Sequence, residues 1–487
     1  MESKAGMLAT LDAGFRQFIV DPIGEVLFAD IVFWDNGQAD EVQLPIVVVW
    51  LVLGALFFTV RFQFINLRAF RHAIDCVRGV YTQADEPGEI SHFQALSAAL
   101  SATVGLGNIA GVAFAVGIGG PGAIFWMVLA GFLGMSSKFA ECTLAQRYRT
   151  RRSDGHFSGG PMHYLKDGLA EIGLPRLGKV LAVVFAFMCI GGSFGGGNMF
   201  QSNQSYALAA FEFPILASTL GATIFGLLLA GTVGLVIIGG IKRIGEVAGV
   251  VVPLMCVTYV FCGLLILLMH AGSLLEGLGV IFQRAFSLEA GTGAFVGVLI
   301  QGFRRAAFSN EAGCGSAAIA HSAAATNQPV REGIVALLEP FIDTIVVCTT
   351  TGLVIVVTGA YDNPDAGEGI RMTAYAFGTV FPWFPTVLTV IAITFAFSTM
   401  ISWSYYGEQC WAWLFGTRSI LLYKGIFLFF VWAGAVFDPG AVLDFGDYMI
   451  LGMAFPNILG VVLLSGIVKA DLDKYLHSLK RGEFQVS

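Results

Sequence analysis

Charge is what this sequence has least of. Of 487 residues only 13% are Asp, Glu, Lys or Arg, while 56% are hydrophobic, and the mean hydropathy is +0.75. A water-soluble chain of this length needs far more charge to wet its surface, so a soluble fold is excluded. Also missing is a secretory signal. Residues 1–43 have no basic start and no apolar core, and carry Asp12, Asp21, Glu25, Asp30, Asp35, Asp40 and Glu41 instead; the first membrane span is expected to act as its own insertion signal. The eight cysteines form no CxxC pair, and seven lie in or beside apolar runs while Cys76 sits in a basic loop. Packing rather than disulfide or metal chemistry is their expected role. No GxxxxGK[ST] phosphate loop occurs, and no nucleophile–base pair or metal-spaced cluster stands out, so neither ATP hydrolysis nor another enzyme activity is expected. Nothing points to nucleic acid or to an obligate protein partner.

What is abundant is apolar length and small residues. Eleven apolar runs of span length lie near 44–61, 92–118, 122–146, 179–208, 214–239, 244–270, 293–319, 331–358, 383–415, 419–437 and 440–466. The 61 glycines are what closely packed membrane helices use to bring backbones together. Basic residues are sorted by loop. The segments after the first, third, fifth, seventh, ninth and eleventh runs hold 20 Lys and Arg, the opposite loops hold Lys4, Arg16, Arg284 and Arg371, and Lys138, Arg304 and Arg305 lie inside runs. By the positive-inside rule the N-terminus is outside and the C-terminus cytoplasmic. A leading span at 44–61 then precedes two sets of five spans, 92–270 and 293–466, with a tail at 467–487.

Two runs are interrupted in the same way. The second holds Gly105-x-Gly107-Asn108 and the seventh Gly313-x-Gly315-Ser316. Paired glycines weaken a helix, and unpaired backbone in lipid is costly unless it lines a cavity or binds something. The runs are five apart, so the second copy enters with reversed orientation: an inverted repeat built on discontinuous helices. Free N–H groups at a half-helix start suit a carboxylate, and unwound carbonyls and hydroxyls suit a hard cation or an ammonium. Thr103, Gly105, Gly107 and Asn108 are the candidates in the first half, and Gln301, Ser309 and Asn310 in the second. In the ninth run Ser398 and Thr399 are adjacent hydroxyls fit for a sodium-sized ion, or else bonded to the preceding turn; Trp403 lies one turn beyond on that face. The amide-rich stretch Gly191–Gln204 lines a cavity or nears the outer surface, and its glycines lack the βαβ context of a dinucleotide loop. Arg304, Arg305 and Glu311 read as structural or gating charges, Asp343 stays unassigned, and Glu141 is expected near the cytoplasmic edge beside Arg147.

These blocks resemble one family, the alanine or glycine:cation symporters, also called sodium:alanine symporters. The resemblance rests on Thr103–Gly111, Gly119–Met127, Gly159–Met162, Ser193–Gln201 and Phe308–Ser316 followed by Ile319-Ala320-His321, and covers about residues 90–420. Val128, Leu106 and Ala306 depart from the family pattern of Trp, Thr and Gly, and the latter two bear on substrate range. The resemblance implies an all-α membrane protein of LeuT type with five-plus-five inverted repeats and one extra N-terminal helix. It implies an amino-acid site from Thr103 to Asn108 and Phe308 to Asn310, walled by Gln201 and Trp403. It further implies a sodium site at Ala102 to Gly105 with Ser398 and Thr399, no other cofactor, and import of alanine or glycine across a bacterial or archaeal plasma membrane. A proton-coupled carrier using Glu311 or Asp343 is the alternative; a channel is disfavoured because no charged ring or filter loop occurs.

Overall fold

The computed structural model describes residues 14, 16–32, 44–83, 85–152, 155–287, 292–380, 382–436 and 439–484. Most of the N-terminal segment 1–43, including Asp12, Asp35, Asp40 and Glu41, lies outside the described residues, as do 485–487 of the tail. The described chain is helical apart from one short hairpin, Thr150–Arg151 against Phe157–Ser158. Its principal helices are α1 (Ile46–Arg61), α2 (His92–Thr103), α3 (Leu106–Gly119), α4 (Ala123–Arg147), α5 (Pro175–Glu212), α6 (Thr219–Ile237), α7 (Gly240–Met269), α8 (Thr292–Asn310), α9 (Ala317–His321), α10 (Pro329–Val357), α11 (Phe384–Phe415), α12 (Thr417–Val436) and α13 (Asp444–Lys480). Eight of them are long and apolar enough to cross a membrane, nine if α2 and α3, bent by 58° at their break, form one span. Of the two further runs, α1 has only 16 residues, and α8 is diluted by Gln301, Arg304 and Arg305.

Local chemistry sets the boundaries. Ser91 caps α2 in a reciprocal box with Gln94, Ser218 caps α6 through the Gly221 N–H at 3.0 Å, and proline opens α5 and α10, where its missing N–H costs nothing. The outer faces of α6 and α7 present Leu228, Leu235, Val250, Leu254 and Val257, each about two-thirds exposed. Water would not tolerate such a belt; hydrocarbon does.

The bundle ends are tied differently. At one end the start of α2 lies beside the end of α9, with Glu89 N–H donating to Ala323 O at 2.8 Å. Arg149 fastens this junction: its guanidinium donates to Ser322 O (3.0 Å), Ala324 O (2.6 Å), Pro87 O (2.7 Å) and Thr326 O (2.8 Å). At the other end Asp447 of α13 receives Arg304 at 2.7 Å and Arg305 at 3.3 Å.

Arg304 and Glu311 have separate partners: Arg304 turns to Asp447, and Glu311 to Trp403 and Ser316. Three sequence expectations are corrected here. Glu141 is fully buried and accepts from Asn457 at 2.8 Å, while Arg147 pairs with Asp471. Cys76 is buried in the short helix Phe70–Val77 rather than lying open in a loop. The amides after Gly197 act mainly as glue: Asn198, Ser202 and Asn203 donate to Phe427 O, Val431 O and Gly434 O, joining α5 to α12.

Candidate functional site

The break in α2–α3 is organised by its own side chains. Val104 and Gly105 leave helical geometry, and Asn108 folds back so that its Oδ1 accepts the Gly105 N–H at 2.8 Å. Gln201 of α5 accepts the Leu106 N–H at 3.1 Å and donates its own amide to Gly196 O. Any side chain at Gly105 would strike the Thr399 hydroxyl, so the close approach of α2 to α11 requires glycine there.

The second break follows α8. Glu311 has φ +54°, Gly313 +92° and Gly315 +85°. A left-handed glutamate costs energy that a free helix end would shed, and here three contacts hold it: Trp403 Nε1 donates to Glu311 Oε1 at 3.0 Å, Ser316 donates to Oε2, and the Glu311 N–H bonds Ala307 O. The breaks meet side by side. A Cβ placed on Gly107 would lie 3.6 Å from Ser309 Cα and from Phe308 Cδ1, and Phe308 packs edge-on against Phe200.

Asp343 of α10 joins them. Its carboxylate accepts from Asn108 Nδ2 at 2.6 Å, Ser309 Oγ at 2.9 Å and Thr344 Oγ1 at 2.7 Å, with all four residues buried. Asn310 donates to Thr344 Oγ1 at 2.9 Å, and Thr351 donates to Asn108 O at 2.8 Å. One carboxylate therefore holds both broken helices. The sequence gives one signal for it, an acid within the apolar run Phe341–Cys348, and such residues are functional by default.

Gly105, Gly107, Asn108, Gln201, Phe308, Ser309 and Asn310 thus stand together, with Trp403 reaching the cluster through Glu311. Thr103 sits at the end of α2 with its hydroxyl turned back to Ala99 O at 3.3 Å, and Ala102 precedes it, also buried. The hydroxyls of Ser398 and Thr399 differ: Ser398 Oγ donates to Phe395 O at 2.9 Å, whereas Thr399 Oγ1 is buried with no hydrogen-bond partner among the described residues and abuts Gly105. Ser398 O accepts from Ser101 Oγ at 2.6 Å, fixing α11 to α2. Gln301 is not brought to this cluster. It packs on Gly119 at the far end of α3, two turns along α8 from Ser309.

A membrane-embedded helical bundle with two discontinuous helices crossing at its centre defines a secondary transporter, not an enzyme. Residues 33–487 match the Sodium:alanine symporter family, and the chain belongs to it. It is 41% identical over 457 residues to the sodium/alanine symporter AgcS of Methanococcus maripaludis, covering 93% of this chain and 99% of that one. It is 33% identical over 443 residues to a Bacillus subtilis protein named "Probable sodium/glutamine symporter GlnT", covering 90% and 89%. The solved structure of MhsT in complex with L-phenylalanine superimposes with a TM-score of 0.51 at 15% identity, covering 78% of this chain and 99% of that chain; it shares the LeuT-type fold.

Proposed function

We propose that this chain imports a small neutral amino acid, alanine or glycine, together with sodium, by alternating access. The observation that carries the reading is the meeting of the two breaks, Gly105–Asn108 against Phe308–Asn310. The positive dipole end at the start of α3 attracts a carboxylate, and carbonyls at the end of α2, left without intrahelical donors, attract a cation. The alanine named for the relative at 41% identity supports a solute with a small side chain. Thr399 Oγ1, buried without a partner beside Gly105, supports a sodium ligand at Ala102 to Gly105 and Thr399, with Ser398 positioned through its carbonyl.

The proposed layout is eleven spans, a leading helix followed by repeats at 92–270 and 293–466, with the N-terminus outside and the tail 467–487 cytoplasmic, in a bacterial or archaeal plasma membrane. A proton-coupled cycle is the second reading, favoured by Asp343 bridging both breaks. Labelled alanine and glycine uptake into proteoliposomes separates them: accumulation under an imposed sodium gradient is expected. Accumulation driven by protons with sodium absent would transfer the coupling to Asp343, and no accumulation of either solute would refute both readings.

A further inference from the structure

Away from the central cluster, a cavity of about 270 Å³ opens between the segment before α2, the turn of the hairpin, the α6–α7 turn, the end of α11 and the start of α12. It is smaller than the ~300–1,000 Å³ typical of pockets for drug-sized ligands, a size for a small solute. Its lining mixes charge of both signs. Glu408 is engaged by Lys424 at 3.1 Å, and Lys424 also donates to Ile237 O at the end of α6. Glu89 accepts from His156 at 2.7 Å and from the Phe157 N–H. Arg152, Tyr405, Lys242 and Gln409 complete the polar wall, and the last two are the groups of interest. Lys242 is exposed and forms no ion pair among the described residues. Gln409 is 4% exposed, and its Oε1 is buried with no hydrogen-bond partner among them.

Gln409 is the last of a series. Thr399, Ser402, Tyr406 and Gln409 each carry a buried oxygen without a hydrogen-bond partner among the described residues. At 100° per residue they fall within about 80° of arc on α11, and at 1.5 Å per residue they cover about 15 Å. Helix hydroxyls ordinarily return to a carbonyl of the preceding turn, as Ser398 and Ser404 do, and leaving four oxygens unbonded is costly unless something polar passes them. The series starts beside Gly105 and ends in the cavity.

We propose that this cavity is an exit site that holds the transported amino acid as a zwitterion, its carboxylate on Lys242 and its ammonium on Gln409 Oε1, before release to the cytoplasm. This rests on the central site and orientation proposed above. The test measures the full-length protein in phosphatidylcholine proteoliposomes, with half-saturating alanine determined separately from the external and internal faces. Lys242→Gln and Gln409→Leu are expected to raise the internal value about fivefold, the loss of a hydrogen bond or charge contact, with the external value and sodium dependence unchanged. An unchanged internal value, or equal shifts on both faces, overturns the inference. A shift seen only when phosphatidylethanolamine is added assigns the cavity to a lipid headgroup and also overturns it. If Gln409→Leu does not insert, Lys242→Gln decides, because its side chain is exposed. Gly105→Ala run in parallel separates the two readings: normal uptake by that variant sinks the central site, whereas its loss of uptake beside an unaffected Lys242→Gln sinks the exit site alone.

Discussion

Asp343 accepts from three donors on three elements, Asn108 of α3, Ser309 of α8 and Thr344 of its own α10. Asp343→Asn turns one oxygen into a donor facing a donor. It is expected to abolish uptake and to lower stability by roughly 2 kcal/mol, the cost of an unsatisfied buried group, read by a fluorescence thermal-shift assay in detergent. Thr399 and Ser398 separate at the same scale. Thr399 Oγ1 lies buried beside Gly105 with no hydrogen-bond partner among the described residues, whereas the Ser398 hydroxyl is turned back to Phe395 O, so Thr399→Ala is expected to raise the half-saturating sodium concentration severalfold and Ser398→Ala to raise it less. An unchanged value for Thr399→Ala would remove Thr399 from the ion site. Cys76 is a third case: burial pushes its thiol up to about 12, so the thiolate is scarce at neutral pH. A membrane-permeant maleimide is expected to leave Cys76 unlabelled in the folded protein and to label it after denaturation, checked by mass spectrometry.

The helix breaks are where sequence and structure agree most closely. Gly105-x-Gly107 and Gly313-x-Gly315 are legible because paired glycine in an apolar run has few other reasons to exist. What joins the breaks was less legible. Asp343 reads as one acid among apolar neighbours, and only the fold brings it 2.6 Å from a residue 235 positions away. Arg304 reads only as a structural or gating charge for the complementary reason: its partner Asp447 lies on another helix, where spacing along α8 says nothing of it. The polar stretch after Gly197 suggested a cavity because periodicity does not show that α12 offers carbonyls to its amides. At the second break, Trp403→Phe removes the donor that holds Glu311 in its left-handed conformation. Uptake is expected to fall at least tenfold while far-ultraviolet circular dichroism stays unchanged; a variant with normal transport would show that Ser316 and the Ala307 carbonyl suffice to hold Glu311.

Across the whole molecule, the two ends are fastened by different chemistry. The tie at the end proposed to face outward is an ion cluster on the single carboxylate Asp447, with Arg304 also over the Phe28 ring at 4.5 Å. Asp447→Asn is expected to favour opening on that side, seen as faster labelling of a cysteine introduced at Phe308 by an external thiol reagent in a variant lacking the native cysteines. The tie at the other end is Arg149, whose four acceptors are carbonyls on the segments before α2 and after α9. Those two segments lie more than 230 residues apart in the chain, and one guanidinium can release them only by giving up its bonds nearly together. On the proposed cycle, passage to the inward-facing form is expected to carry a large activation enthalpy, and turnover a steeper Arrhenius slope than the Asp447 tie would impose. The temperature dependence of solute uptake then rests in part on an arginine that touches neither solute nor ion, alongside the backbone bonds of the same junction.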